Sequence, residues 1–450
     1  MSARGIDPAR VAGLLQQERK AFAEAHPRSV ALRARARAHM PNGVPMAWMA
    51  ADNDVPVYVT HARGARFEDV DGCEYLDTNV ADMSSFCGYA NPPIVEAVAR
   101  RAAQGTQFLL PTEDAIWVAE ELARRYPVAH WQFTLSASQA NTEAIRVARA
   151  ATGRQNVLFF DGHYHGHFDE GTVQLERGEL RSFGRGLPRD VARNVRVVPF
   201  NDARAVRDAL EPRDVAIVLT EPALTNNLGL QLPEPGFHDA LRGACSDTGT
   251  VLAYDETHTH VVGPGGCTAL WGLSPDVITI GKSVAGGVPL GAYGMIGALA
   301  DELEASEPRQ GPIEVATGGT LFGNPLSMAA ARAALGEVLV PEAYAHANAL
   351  GAQLADGLER AIREAGLSWT AHRFGPRSGT TFAARIPRNA EESRASFDRT
   401  LFRLLRVWLG NRGVWEAIVG AGPTLAVSAA EADVDCYVDA YREFLAAVAG

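Results

Sequence analysis

The chain has 450 residues, of which 47% are hydrophobic and 21% charged, a balance typical of a folded globular protein. Its formal net charge of −11 argues against a nucleic-acid or anionic-membrane partner, since either would favour a basic surface. No run approaches the roughly 18 apolar residues that a membrane helix needs, and the first ten residues lack the apolar core of a secretory signal.

The predicted elements, taken in chain order, begin with a helical region over residues 8–39. Short antiparallel strands are expected over 57–77, with a turn at Asp71-Gly72. The middle of the chain is predicted to alternate between helices at 92–104, 113–126, 139–151, 202–209 and 235–247 and strands at 131–135, 156–160, 215–219, 250–254, 277–280 and 292–296. After a helix that follows Asn324-Pro325, strands are expected near 378–384 and 424–427 and helices near 393–408 and 431–447.

Continuous apolar strands separated by helices indicate a mostly parallel sheet that is covered on both faces. We therefore predict an α/β protein with one large domain over residues 61–330. A small α+β domain is expected to combine the N-terminal segment 1–60 with the C-terminal part 331–450.

Cysteine and lysine usage are both informative. The five cysteines are scattered, odd in number and without a CxxC pair, which favours reduced thiols in a cytoplasmic protein.

Of 42 basic residues only two are lysines, Lys20 and Lys282. A lysine amine can be deprotonated and act as a nucleophile, whereas arginine cannot, so a lysine retained among so many arginines is a candidate for chemistry. Lys20 lies in a polar helical pattern, and Lys282 follows a predicted strand.

Polar side chains follow four predicted strands, where ligands bind in open α/β sheets. These are Glu221, Asp255, Lys282 and the segment Ser136-Ala137-Ser138, which opens a helix. Small residues at a helix start can hold a phosphate, although on their own they more often indicate a simple helix cap. Asp255 could cap a loop or hold a proton on a pyridine nitrogen. Lys282 could be a surface cation of its glycine-rich loop.

Two H-x-H patterns suggest a different chemistry. They comprise His163 and His165 after one strand and His258 and His260 after another. With a lysine and aspartates they could indicate a metal-dependent hydrolase. Such a site needs a closed barrel of eight strands and helices, which the lobes at both chain ends do not fit, so we expect no metal.

The segments together resemble the class-III (ω-type) aminotransferases of pyridoxal 5′-phosphate (PLP) fold type I. The branch that they resemble contains glutamate-1-semialdehyde aminomutases and β-amino-acid or D-phenylglycine transaminases. The resemblance runs from about residue 38 to the C-terminus and rests on MPNGV, ARFEDVDGCEYLD, SASQANTEAIRVAR, FDGHYHGH, Glu221-Pro222, YDETHT, ITIGKSVAGGVPLGAYG and GGTLFGNPLSMAAA.

The resemblance implies a role for each matching residue. Lys282 is similar to the lysine that carries PLP as a Schiff base and moves the substrate Cα proton. Asp255 corresponds to the partner of the pyridine nitrogen, and Tyr164 and Thr257 to the residues on the two ring faces. The phosphate would lie at Ser136, Ala137 and Ser138, with Glu221 also near the cofactor. Thr320 matches a threonine that reaches the phosphate of a neighbouring subunit, which implies a homodimer with shared active sites.

The chain also departs from the family pattern. Gln139 replaces a usual glutamate, Thr257 a usual valine and His258 a usual apolar residue. Relatives that bind amino acids tend to place an arginine in the loop around 44–49 or in the loop 414–420, and this chain has none in either. Because a buried carboxylate needs a cationic partner, we expect an apolar or aromatic group there, with Met46, Trp48 and Trp415 as candidate walls. Binding of the carboxylate by another arginine, such as Arg412, is the alternative.

The expected function is transfer of an amino group from an amine or a β- or aryl amino acid to a keto acid or ketone. Three alternatives stay open: an aminomutase that returns the group to the same molecule, a PLP lyase, and the metal-dependent hydrolase. A non-catalytic binding protein is a further class that the absence of a bound chromophore would favour.

Overall fold

The computed structural model describes residues 6–50, 55–176, 178–182, 184–225, 228–305, 315–416 and 422–449. Its backbone contacts divide the chain into two compact units. The small unit combines Met1–Asn91, His346–Ile386 and Ala395–Gly450, and the large unit combines Pro92–Ala345 with Pro387–Arg394. Over the part of the chain that is described, no helix has the length and apolar character needed to cross a membrane.

The strands of the described residues are short. In chain order they are β1 (Val59–Arg63), β2 (Arg66–Asp69), β3 (Glu74–Asp77), β4 (His130–Thr134), β5 (Asn156–Phe160), β6 (Val173–Glu176), β7 (Glu179–Ser182), β8 (Val195–Val198), β9 (Val215–Thr220), β10 (Val251–Asp255), β11 (Val277–Ile280), β12 (Gly291–Met295), β13 (Thr370–His372), β14 (Gly379–Thr381) and β15 (Val414–Trp415).

The helices are longer and lie in both units. They are α1 (Pro8–Ala25), α2 (Pro27–Ala36), α3 (Pro92–Gln104), α4 (Glu113–Arg125), α5 (Ala137–Thr152), α6 (Ala203–Leu210), α7 (Phe237–Thr248), α8 (Gly266–Leu270), α9 (Gly297–Ala305), α10 (Pro325–Ala333), α11 (Pro341–Glu364), α12 (Ala390–Ser396), α13 (Arg399–Gly410) and α14 (Glu431–Ala449). A π-helical turn over Ala334–Val338 continues α10.

The large unit is built on a seven-stranded sheet with the order β4-β12-β11-β10-β9-β5-β8. Strands β8, β5, β9, β10 and β11 run parallel, and β12 is antiparallel to both of its neighbours. Every residue of β9, β10 and β11 is buried, which explains why these strands read as continuous apolar runs. Helix α5 packs on β9, β11 and β12, while α6 packs on β8 and α7 on β10.

The small unit contains a four-stranded sheet with the order β1-β2-β3-β15. Strand β2 is antiparallel to both β1 and β3, and β15 joins β3 in parallel. Helix α13 packs against α1, α14 and β15. Because β1–β3 pair with the C-terminal strand β15, residues up to Asn91 cluster with the C-terminal part, whereas the predicted division lies at residue 60.

Most predicted elements are confirmed, and the differences have local causes. All six strands predicted between 131 and 296 are present within two residues of their predicted bounds. The helical region 8–39 is broken at His26, because Pro27 cannot continue the hydrogen-bond ladder of α1. The strand predicted over 424–427 is wrong: these residues make single backbone bonds to Thr78, Pro376 and Phe86 instead of a ladder.

Candidate active site

Three parallel strands bring polar residues to one edge of the large sheet. Strand β9 is followed by Glu221, β10 ends at Asp255, and β11 is followed by Gly281 and Lys282. Asp255 lies opposite Thr279 in the register between β10 and β11. The carboxyl ends of neighbouring parallel strands meet at the same edge, so the structure brings the predicted carboxylate and the predicted lysine together.

Asp255 is buried and receives three hydrogen bonds. Its Oδ2 accepts from Asn141 Nδ2 and from His165 Nδ1, both at 2.9 Å, and its Oδ1 accepts from the backbone N–H of Thr257 at 3.0 Å. Burial on its own raises the pKa of this carboxyl, but the hydrogen bonds and charge of His165, with those of Thr257 and Asn141, bring the pKa below its ordinary value. Asp255 is therefore held as a carboxylate inside the protein.

A second layer of hydrogen bonds fixes the donors to Asp255. Thr279 donates its hydroxyl proton to Asn141 Oδ1 at 2.6 Å, so the amide of Asn141 must direct its Nδ2 toward Asp255. The same Nδ2 also donates to the carbonyl of His165 at 2.7 Å. The sequence analysis assigned no role to Asn141 or Thr279 and considered His165 only as a metal ligand. Their polar side chains next to apolar strands were the available signal.

Lys282 begins a short 3₁₀ turn over Lys282–Ala285. Its φ of 55° lies in the left-handed region, which is costly for a residue with a side chain and recurs at functional sites. The next residue, Ser283, is hydrogen-bonded to His260 Nε2 at 3.0 Å. Burial first, and then the charges of Lys282 and Arg125, lower the pKa of His260 to about 3, so its imidazole is neutral beside the lysine.

The N-terminus of α5 lies next to this lysine. A Cβ on Gly281 would come within 2.9 Å of Ala137 Cβ and 3.0 Å of Ala137 N, so glycine is needed where the two backbones meet. Ser136 caps α5 by accepting from Gln139 N at 3.3 Å. Ser138 Oγ accepts from His167 N at 3.0 Å, which leaves its own proton to donate. First-turn N–H groups and the helix dipole make this a suitable anion site.

The remaining predicted cofactor contacts lie in the same unit. His163 and His165 are buried, and Tyr164 between them is half-buried, as alternation along an extended segment requires. Thr257 Oγ1 is buried, and no hydrogen-bond partner for it occurs among the described residues. Glu221 Oε2 is bonded to Thr225 Oγ1 at 2.7 Å and to His258 Nδ1 at 3.2 Å, so His258 pairs with a carboxylate.

The H-x-H histidines do not form a metal site in the part of the chain that the structure describes. His163 Nδ1 donates to the carbonyl of Phe160, and the other three histidines pair separately with Asp255, Glu221 and Ser283. None of them belongs to the one described group of side chains whose ligand atoms converge. The geometry therefore gives no support to the metal-dependent hydrolase.

The other predicted positions lie on exposed loops or in the small unit. Thr320 is exposed, and its carbonyl accepts from Gln107 Nε2 at 2.5 Å. In the small unit Met46 and Trp48 are exposed, and the Trp415 ring packs edge-on against Phe67 and Tyr75, with centroids 5.8 and 5.5 Å away.

The residues of the large unit fit a phosphate-bearing aldehyde cofactor with a pyridine ring. A helix start offers N–H groups and a serine hydroxyl to the phosphate, and Lys282 follows the glycine that touches that helix start. A buried carboxylate is held ionised at the same sheet edge, and the unsatisfied Thr257 hydroxyl offers a further polar contact. These are the groups that hold and polarise such a cofactor.

Comparisons with known proteins identify the family of the chain. A family model described as aminotransferase class-III matches residues 48–366. The chain is 35% identical over 438 residues to glutamate-1-semialdehyde 2,1-aminomutase of Sorangium cellulosum, which covers 95% of this chain and 98% of that relative. The chain belongs to the class-III aminotransferases.

Solved structures extend the comparison. A glutamate-1-semialdehyde aminomutase from Pseudomonas aeruginosa PAO1 has a TM-score of 0.95 and 36% identity, covering 99% of this chain and all of that one. An ω-transaminase from Sphaerobacter thermophilus has a TM-score of 0.86 and 31% identity, covering 94% and 98%. A variant of the Pseudomonas enzyme was solved in complex with PMP, the amine form of PLP. The fold is PLP-dependent fold type I, and PLP is the cofactor.

Proposed function

We propose that the chain is a transaminase that moves an amino group from an amine, or from a β- or aryl amino acid, to a keto acid or ketone. The observation that carries this proposal is the placement of Lys282. It lies at the carboxyl edge of the sheet, one residue from the backbone contact with the start of α5, and the ionised Asp255 lies at the same edge.

When bound, PLP supplies an aldehyde that condenses with amines and a ring that accepts electrons. The start of α5 and the Ser138 hydroxyl would hold the phosphate. Asp255 would accept a hydrogen bond from the ring nitrogen and so keep a proton on it. Lys282 Nζ would take the proton from the substrate Cα and hold it for return to the substrate–cofactor adduct. Tyr164 and Thr257 would confine the two ring faces.

The charges of the small unit support an apolar substrate group. Arg412, the arginine nearest in sequence to the loop 414–420, is held by Glu443 at 2.9 Å and by Glu18 at 3.2 Å. Its guanidinium also stacks on Trp408, 3.5 Å from the ring centroid. An arginine with these partners would have to give them up to bind a carboxylate. We therefore propose Met46, Trp48 and Trp415 as walls for an apolar or aromatic group.

A homodimer with shared active sites is part of the proposal. Large apolar side chains are exposed on the segments that meet at the Gln107–Thr320 bond: Leu109 is 72% exposed, Leu110 70% and Leu321 50%. A monomer rarely leaves such a patch in water, and a second copy would cover it. Light scattering should give twice the mass of the chain, and a concentration-independent monomer would contradict this. A cytoplasmic location stays a prediction.

An aminomutase is the second candidate, because the named relatives at 35% and 36% identity are glutamate-1-semialdehyde aminomutases. External acceptors separate the two functions. A transaminase should turn over 1-phenylethylamine only when pyruvate or 2-oxoglutarate is present. Turnover of glutamate-1-semialdehyde without any keto acid would instead establish the aminomutase, and strong preference for β-phenylalanine would refute the apolar-group proposal.

Replacement of Lys282 tests the chemistry shared by both candidates. We expect K282A to lose roughly 10²–10⁴-fold in turnover, the usual contribution of a positioned proton-transfer group. Borohydride should fix the cofactor to the wild-type chain but not to K282A. The matched control is K20A, since Lys20 is the only other lysine and its side chain is 77% exposed. Undiminished turnover in K282A would sink both candidates.

A further inference from the structure

Four reactive side chains converge in the small unit, and the mechanism above uses none of them. They are His26 between α1 and α2, Asp69 at the end of β2, Cys73 in the following turn and Tyr75 on β3. His26 and Asp69 are buried, at 2% and 1% exposure, and Cys73 is partly exposed. The ligand atoms of His26, Asp69 and Cys73 all lie within 4.8 Å of one another.

The orientation of His26 is that of a metal-binding histidine. Its Nδ1 lies 2.5 Å from the carbonyl oxygen of Phe22. A carbonyl oxygen can only accept, so Nδ1 donates to it and Nε2 faces the cluster. Histidines that bind metals nearly always donate their other N–H in this way, which fixes both the tautomer and the ring.

Asp69 presents one oxygen to the same point. Its Oδ1 accepts from the backbone N–H groups of Asp71 at 2.9 Å and Cys73 at 3.0 Å, which fixes the carboxylate. Its Oδ2 lies 3.3 Å from His26 Nε2 and 3.4 Å from the Tyr75 hydroxyl. The backbone therefore holds the outer oxygen, and the inner oxygen is directed at the imidazole.

The Tyr75 hydroxyl has one proton for two neighbours. It lies 2.5 Å from His26 Nε2 and 3.4 Å from Asp69 Oδ2, to which it donates. At 3.4 Å this bond is long, and the S–H of Cys73 nearby is a weak donor. A buried carboxylate oxygen without adequate donors is costly.

We propose that His26 Nε2, Asp69 Oδ2 and Cys73 Sγ bind a zinc-like divalent cation, with the Tyr75 oxygen or a water as the fourth ligand. A mixed nitrogen, oxygen and sulfur set suits zinc. Zinc bonds of about 2.0–2.3 Å place tetrahedral ligands roughly 3.3–3.8 Å apart, so the 4.8 Å triangle must close by about 1 Å. Cys73 can supply this movement because it lies in a turn.

The site would tie the N-terminal helices to the β-sheet of the small unit. His26 joins α1 to α2, and the other three ligands belong to the β2–β3 hairpin. Asp71 already links the same parts by accepting from the backbone of Arg28 and Ser29 at the start of α2. Zinc binding replaces the S–H bond by a Zn–S bond and releases the thiol proton to solvent, so binding should weaken as the pH falls.

The test is zinc binding by the PLP-loaded enzyme. After incubation with zinc and dialysis, elemental analysis should find one zinc per chain, and zinc should raise the unfolding temperature. Cobalt in its place should give a near-ultraviolet thiolate band. We expect C73S and H26N to bind zinc at least about tenfold more weakly. The matched controls are C436S and H61N, since Cys436 is a partly exposed cysteine and His61 an exposed histidine of the same unit.

The cofactor chromophore reports folding independently of zinc. Variants that keep the chromophore but lose zinc support the proposal. No zinc in the wild type, or equal loss in C436S and H61N, would overturn it and leave the cluster as a hydrogen-bonded group of His26, Tyr75 and Asp69. If C73S does not fold, H26N and cobalt spectra of the wild type still decide the question.

Discussion

Two buried carboxylate–histidine pairs behave differently because they have different numbers of donors. Asp255 lies 2.9 Å from His165 in the large unit, and Asp69 lies 3.3 Å from His26 in the small unit. Asp255 Oδ2 accepts two N–H hydrogen bonds, from Asn141 Nδ2 and His165 Nδ1. Asp69 Oδ2 instead receives one long hydrogen bond, from the Tyr75 hydroxyl at 3.4 Å, and faces His26 Nε2.

The charge of a buried carboxylate depends on its hydrogen-bond donors as much as on its histidine partner. Where donors suffice, the pKa is lowered and the charge is available for catalysis, as at Asp255. Where donors are scarce, the group requires something from outside, either a proton or a cation. The same residue types thus give a proposed catalytic anion in one unit and a proposed cation site in the other.

The largest expected effect on turnover comes from replacing Asp255 by asparagine, with the same replacement at Asp69 for comparison. D255N should lower turnover by roughly 10²–10³-fold, because a buried charge-assisted bond to the ring nitrogen is lost. D69N should leave turnover almost unchanged and abolish the response to zinc. Steady-state kinetics and thermal unfolding with and without zinc measure both. Comparable loss of turnover in the two variants would contradict the proposal that Asp255 acts in catalysis and Asp69 does not.

Removing one hydrogen-bond donor should leave Asp255, like Asp69, with too few donors for a buried carboxylate. N141A leaves the carboxylate in place but deletes one of its N–H bonds, so we expect turnover to fall by about tenfold, as for one bond to a charged group. The fall should be greater at low pH, since the pKa of Asp255 is then lowered less. The control is T142A, on the same helix, whose hydroxyl binds the Ser138 carbonyl. A pH profile identical to that of the wild type would contradict this role.

The smallest expected effect concerns the neutral histidine beside His165. Burial, and then the charge of His165, lowers the pKa of His163 to about 3 from 6.5. The unfolded chain therefore binds a proton that the folded chain excludes between these values, and stability falls as the pH drops through this window. The slope is about 1.4 kcal/mol per pH unit for one such group. H163N, which can still donate to Phe160, should reduce the slope measured by urea unfolding by one proton.

Much of the fold follows from local pattern. Strands β9, β10 and β11 are buried on both faces, so their apolar runs identified them, and the rule that ligands bind at strand ends placed Asp255 and Lys282 together. The β6–β7 hairpin and β8 were not predicted, because their strands are only four residues long and carry exposed or half-buried positions. Such segments have little periodic signal.

The supporting layer of the site could not be predicted from sequence. Asn141, His165 and Thr279 lie on α5, after β5 and on β11, and they meet only because the sheet order places these elements side by side. The pairing of His260 with Ser283 beside Lys282 is likewise a tertiary contact. The predicted roles of Tyr164, Glu221, Thr257 and Thr320 stay predictions, and so do those of the small-unit residues.

The close approach of Gly281 to Ala137 fixes the distance between the start of α5 and Lys282. With no side chain at 281, two stretches of main chain touch, so the backbone sets the distance from the proposed phosphate site at the start of α5 to Lys282. G281A would push these two stretches apart, so it should weaken both proposed contacts with the cofactor at once. Attempts to broaden the accepted amines should therefore leave this contact alone and alter other walls.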